Sequence, residues 1–174
     1  MAGTLEFIKK QSATSAVSMD VTDVFTADYE VYQVHISADM DSAAYFELRL
    51  LNASDDSLAN SSQYDMAAEE FKSNTTFNDY KFEDQNGGVG WRGIGPYIDD
   101  GDGYGFTATI FNPFIDGYTM AIAQGASSNG ASANLEGQKS IAAYKDDESI
   151  GGFRVINSGG GTMNYIVATV YGVK

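Results

Sequence analysis

The sequence predicts an all-β fold, an antiparallel β-sandwich of jelly-roll type with at most one short helix. Three observations carry this. Apolar and polar residues alternate with a period of two in several segments, as half-buried strands require. Turn residues punctuate the chain at intervals of roughly 10–15 residues, the spacing of sandwich and jelly-roll strands. No segment alternates strand and helix in the βαβα manner.

From the N-terminus, TLEFIKK (4–10) and AVSMDV (16–21) read as short strands. VYQVHIS (31–37) is cleaner: Tyr32, Val34 and Ile36 face one way, and Gln33, His35 and Ser37 the other. YFELRLL (45–51) sets Phe46, Leu48 and Leu50 opposite Tyr45, Glu47 and Arg49. YDMAAEEFKS (64–73) is the best helix candidate, with Met66, Ala67 and Phe71 at near-helical spacing; an irregular edge strand is the alternative. GYGFTATIF (103–111) and YTMAIAQ (118–124) flank NPFIDG, whose Asn-Pro and Asp-Gly pairs predict a hairpin with a longer loop. SIAAYK (140–145) and GGFRVIN (151–157) follow, joined by the acidic turn DDES. In MNYIVATVYGVK (163–174), Met163, Tyr165, Val167 and Tyr171 oppose Ile166, Ala168 and Val170. A strand apolar on both faces is either central in a sandwich or buried against another subunit. SSNGASANLEGQ (127–138) and NSGGG (157–161) read as loops. Strand patterns resume on both sides of them, so the expected organisation is one domain over residues 1–174.

The totals narrow the function. A chain of 174 residues buries roughly 70% of its unfolded surface and needs no staple. It has no cysteine and one histidine, His35, which excludes disulfides, thiolate sites and a His-rich zinc site. The net charge of −14 argues against nucleic acid, whose phosphates need clustered Lys and Arg. No apolar run reaches the roughly 20 residues of a membrane-spanning helix, so no membrane is expected as partner. MAGTLEFIKKQSATS lacks an apolar core of the kind a signal peptide carries, and synthesis and folding in a cytoplasm are expected. The sequons at Asn52, Asn60 and Asn74 carry little weight without such a signal.

The stretch PYIDDGDGYG (96–105) raises the question of calcium. An EF-hand loop counted from Asp100 has Asp102 third and Gly105 sixth, but Tyr104 stands fifth and Phe111 twelfth, where an oxygen ligand and a glutamate belong. A strand follows instead of a helix, so the EF-hand is rejected. The stretch reads as a sharp surface turn, with a loop-built calcium site on Asp99, Asp100 and Asp102 as the alternative. GVGWRG (88–93) matches G-x-G-x-x-G, but Ile94, Gly95 and Pro96 follow and no helix can start to hold a pyrophosphate. Trp91, the sole tryptophan, lies close in sequence to Tyr80, Tyr97 and Tyr104. Aromatic faces beside amides and carboxylates can stack on a sugar, which makes Trp91, Tyr97 and Tyr104 the carbohydrate candidates, against a core or interface role for the Trp. His35 reads as a surface or cross-strand residue: no G-x-S-x-G elbow accompanies it. No carboxylate pair stands out among the 24 acidic residues, and no catalytic residue or cofactor is assigned.

The opening GTLEFIKKQSATSAVSMDVTDVFTADYEVYQVHIS, the phrase IFNPFIDGYTMAIAQ and the ending ATVYGVK together resemble the small β-rich virion proteins of marine tailed phages, cyanophages among them. Members often carry a cysteine in the stretch matching VTDVF, where this chain has Val24. The resemblance implies a jelly-roll structural protein of the virion, made in the host cytoplasm, that works by binding rather than catalysis. It implies capsid decoration or cementing through contacts with proteins such as the major capsid protein, and a homotrimer, as virion parts often are. The alternative is a tail-fibre or receptor-binding module that binds host-surface carbohydrate. No functional residue is carried over. The 11 tyrosines and 10 phenylalanines suit an assembly protein, since aromatic side chains supply contact area at low entropic cost.

Overall fold

The computed structural model describes residues 4–73, 77–82, 90–97, 103–129 and 134–174, the span 77–82 by its backbone. Two antiparallel sheets form a sandwich. Across the larger lie β1 (Leu5–Ala16), β12 (Met163–Val173), β3 (Val31–Met40), β8 (Tyr104–Phe111), β9 (Thr119–Asn129), β10 (Asn134–Tyr144), β5 (Tyr64–Lys72) and β6 (Phe77–Phe82) in that order. The smaller runs β2 (Ser18–Val21), β11 (Ile150–Asn157), β4 (Phe46–Asn52), β7 (Trp91–Arg92).

The first four strands alternate between sheets: β1 and β3 flank β12, while β2 and β4 flank β11. This wrapping of the N-terminal part against the C-terminal part is a jelly-roll feature, widened here by the β8–β9–β10 meander and by β5 and β6. Thr4 and Lys174 exchange both backbone hydrogen bonds, so the start of β1 and the end of β12 meet at one end of their ladder. β12 is central between β1 and β3, with Ile166, Ala168 and Val170 turned into the core.

Two expectations are corrected. Residues 64–72 form strand β5, not a helix, and β5 is paired on both sides, to β10 and β6. Tyr64, Met66, Ala68 and Glu70 point inward at strand period. The expected loop 127–138 is largely strand: β9 and β10 pair from Tyr144↔Thr119 out to Asn134↔Asn129. One short 3₁₀ turn, Ser61–Gln63, begins at Asn60, whose side chain accepts from the Ser62 N–H.

The core between the sheets is aromatic. Phe46 stacks on Tyr104 at 4.4 Å between ring centroids, and Phe25 meets Tyr32 edge-on at 4.8 Å. Fully burying a side chain of this size is worth about 2–3 kcal/mol. Two of the tyrosine hydroxyls inside accept from the backbone: Tyr64 Oη from the Leu50 N–H, and Tyr144 Oη from the Asn60 N–H.

The segment Gly90–Tyr97, which carries β7, lies over the inner face of β9 and β10. Inward side chains capture its carbonyls: Ser127 Oγ donates to Tyr97 O at 2.7 Å, Ser140 Oγ to Ile94 O at 2.7 Å, and Gln138 Nε2 to Gly93 O. This is why polar residues stand on the inner face of β9 and β10. Gly90 passes so close to β4 that a Cβ there would lie 2.5 Å from Leu48 O, and Gly93 has φ +80, which only glycine adopts without strain.

Candidate binding face

The outer faces of the two sheets differ in chemistry. On the small sheet, Asp20, Glu47, Arg49, Arg92 and Arg154 point outward, so all three arginines of the chain lie there. Arg154 Nη2 donates to Asp20 Oδ2 at 2.8 Å, and Arg49 Nε to Glu47 Oε1 at 2.5 Å. The hydrogen-bonded Asp20 carboxylate holds Arg154 above its ordinary pKa against the opposing effect of burial.

On the large sheet, the outward positions of β12, β3, β8 and β9 carry one Asp, Glu, Lys or Arg, namely Asp39. One end of this face is apolar. Cross-strand register lines up Phe7, Tyr171, Gln33, Thr109, Ile122 and Ile141. Phe7 is 60% exposed, Ile122 54% and Ile141 61%, and Leu5 and Met120 in the adjoining row are half exposed. The next row is polar, with Thr169, His35, Thr107, Gln124 and Lys139 in register. His35 packs edge-on against Tyr171 at 5.4 Å, as a cross-strand histidine does. The polar end dips into a groove of about 990 Å³ reaching from Val167 to Phe71.

The residues expected to hold a sugar do not come together on a surface. Trp91 is fully buried, its indole N–H donating to Ala143 O at 3.0 Å. Tyr104 is buried under Phe46. Tyr97 is half-buried with its ring edge-on to Tyr45 at 4.8 Å. The stretch around Trp91 is apolar because it lies over the inner face of the sheet, and its rings are spent on the core. Asp99, Asp100 and Asp102 lie outside the described residues, as does Gly88 of the glycine-rich motif. Among the described residues, no three His, Asp or Glu side chains gather as a metal site would require.

One ionic cluster sits on the inner face at the far end of β5 and β10. Lys72 Nζ lies 2.8 Å from Glu136 Oε1 and 3.6 Å from Glu70 Oε2, and both carboxylates are buried. Burial works to lower the Lys72 pKa, but the two carboxylates outweigh it and hold it above the ordinary value. A cation shared between two buried carboxylates pins β5 to β10. It marks the place where Glu136↔Lys72 and Gln138↔Glu70 replace apolar pairs in the ladder.

No protein-family model matches the chain, and no curated protein matches it. Among solved structures, it is similar to the catalytic domain of PdAgaC at 11% identity, over 90% of this chain and 64% of that one, with a TM-score of 0.25. A likeness at that score carries no argument about fold, activity or substrate.

Proposed function

We propose that this chain is a non-enzymatic assembly protein: a structural component of a tailed-phage virion that decorates or cements the capsid through oligomeric contacts. The observation that carries the reading is the contrast between the two outer faces. A chain of net charge −14 keeps the four central strands of one broad sheet face almost free of charge and lines the end of that face with exposed Phe7, Ile122 and Ile141, while its arginines and their partners cluster on the opposite face. Depletion of charge with enrichment of large apolar side chains is the composition of an interface core. The virion setting, the major capsid protein as partner and the trimeric state come from the sequence resemblance, and the face supplies the contact surface they need.

Light scattering on the purified protein tests the contact. The expected mass is a multiple of 18.7 kDa, three-fold for a trimer, and Ile122→Asp with Ile141→Asp reduces it to one chain. A wild-type monomer at every concentration opposes the reading. Quantitative mass spectrometry of purified particles tests the setting: a copy number equal to the major capsid protein, or a simple fraction of it, supports decoration, and absence from the particle overturns it.

A further inference from the structure

One row of the open face, crossing six strands at right angles, is floored by small residues. In register from β12 to β5 stand Val167, Ser37, Gly105, Ala126, Gly137 and Phe71. Val167 and Phe71 close the ends, and nothing larger than serine rises between them. The five strand spacings give a trough about 24 Å long. Its side wall is the polar row of Thr169, His35, Thr107, Gln124, Lys139 and Glu69.

Two details distinguish this floor from incidental packing. A Cβ on Gly105 would meet nothing nearer than Ile36 O at 3.6 Å, so packing alone does not forbid a side chain there, yet the position is bare. At Gly137 the opposite holds: three ring carbons of its cross-strand partner Phe71 fill the space a Cβ would occupy. The ring is thus held over backbone at the end of the trough while staying 39% exposed. Covering a strand glycine with a neighbouring aromatic also fixes the ring in place.

A fixed aromatic surface beside hydroxyl, imidazole and amide groups is suited to the apolar C–H face and the hydroxyls of a sugar. Other occupants fit less well. An extended peptide adds to an unpaired sheet edge, whereas this trough crosses strands whose backbone groups are already in the ladder. A single-stranded nucleic acid needs a cationic groove, and here Lys139 stands on the wall while Lys72 is tied to Glu136. The charges of the wall, Lys139 and its register partner Glu69, are of opposite sign and balance, which selects a neutral chain over an acidic one.

We propose that this trough binds a neutral polysaccharide lying across the strands, with Phe71 as the stacking platform and Thr107, Gln124 and His35 as its hydrogen-bonding wall. The inference is independent of the assembly reading, because the apolar stripe occupies the other end of the same strands.

The test is native gel electrophoresis through hydroxyethylcellulose, xyloglucan, laminarin or galactomannan, with alginate as the charged control. At least one neutral polymer is expected to retard the wild type, and Phe71→Ala to weaken binding about tenfold or more. Gly105→Leu, whose side chain enters the trough where packing leaves room, is expected to abolish retardation with the melting temperature unchanged. Phe71→Tyr is expected to keep binding, which separates loss of the platform from loss of the fold. The proposal is overturned if no neutral polymer retards the wild type, if alginate alone does, or if Phe71→Ala and Gly105→Leu run as the wild type does. Failure of the assembly reading would instead leave a monomer that still binds polymer.

Discussion

The Trp91 indole nitrogen lies 3.0 Å from the Ala143 carbonyl oxygen, a hydrogen bond from the edge of the small sheet to the middle of the large one. It ties β7 to β10 across the sandwich at a place where the Tyr64 ring also stands edge-on to the indole, 6.1 Å away. Trp91→Phe would keep an aromatic ring and remove the donor, leaving the partly buried Ala143 carbonyl without that partner. The expected loss is about 2 kcal/mol by urea unfolding, from the unmet carbonyl and the volume lost. Retardation in polysaccharide gels should be unchanged, because the indole is inside.

Tyr104 offers the reverse case. Its hydroxyl is buried and makes no hydrogen bond among the described residues, and burial pushes its pKa well above the ordinary value. Tyr104→Phe removes a buried polar atom with little change of shape. It is expected to be neutral or stabilising by up to about 1 kcal/mol. A loss of more than 1 kcal/mol would mean that the hydroxyl has a partner.

Two glycines on neighbouring strands should respond differently to alanine. A Cβ on Gly125 would lie 2.5 Å from Phe106 Cβ and 2.8 Å from both Gly105 O and Pro96 Cδ. Those atoms belong to or border the backbone and cannot swing away, so Gly125→Ala is expected to cost about 2 kcal/mol or more. Gly105→Ala, with 3.6 Å to its nearest neighbour, should stay within about 0.5 kcal/mol of wild type. Thermal melts of the two variants side by side decide it.

Alkaline pH should destabilise the fold through its buried tyrosines. Desolvation raises the pKa of Tyr64 and of Tyr144 above the ordinary 10.0, with the Glu148 carboxylate adding to the effect on Tyr144. The raised folded-state values favour the protonated form, so this contribution is fully present below about pH 10 and is lost as pH climbs above it. The melting temperature is expected to hold to about pH 10 and then fall. Tyr64→Phe loses the bond to the Leu50 N–H and should melt lower at neutral pH, but with a shallower alkaline decline.

Where alternation was clean, the strands were legible. Tyr32, Val34 and Ile36 are buried as their spacing requires, and the hairpin across NPFIDG pairs as its turn residues predict. β5 was obscured because its inward row ends in Glu70 and Lys72, and charges on an inner face break the alternation by which a strand is recognised. The distant Glu136, brought alongside by β10, pairs with Lys72 there, a contact the local sequence does not contain. The outer arms of β9 and β10 read as loop because residues such as Ser127 and Gln138 are polar; their partners are the carbonyls of Tyr97 and Gly93, a contact no local pattern contains. The open face itself was invisible for the same reason. Phe7, Ile122 and Ile141 become one stripe, and Gly105 and Gly137 one trough, only after register is fixed across strands far apart in sequence.

The meeting of Thr4 and Lys174 has a mechanical consequence. Force applied between those two residues acts perpendicular to the paired strands and loads one rung of the β1–β12 ladder at a time. Rungs loaded singly open at low force, like a zipper, whereas strands pulled lengthwise share the load across every rung. A pull between Thr4 and Lys174 would therefore peel β1 from the sheet edge first, while a pull between Thr4 and Met163, at opposite ends of the same ladder, would act along the strands and meet far greater resistance.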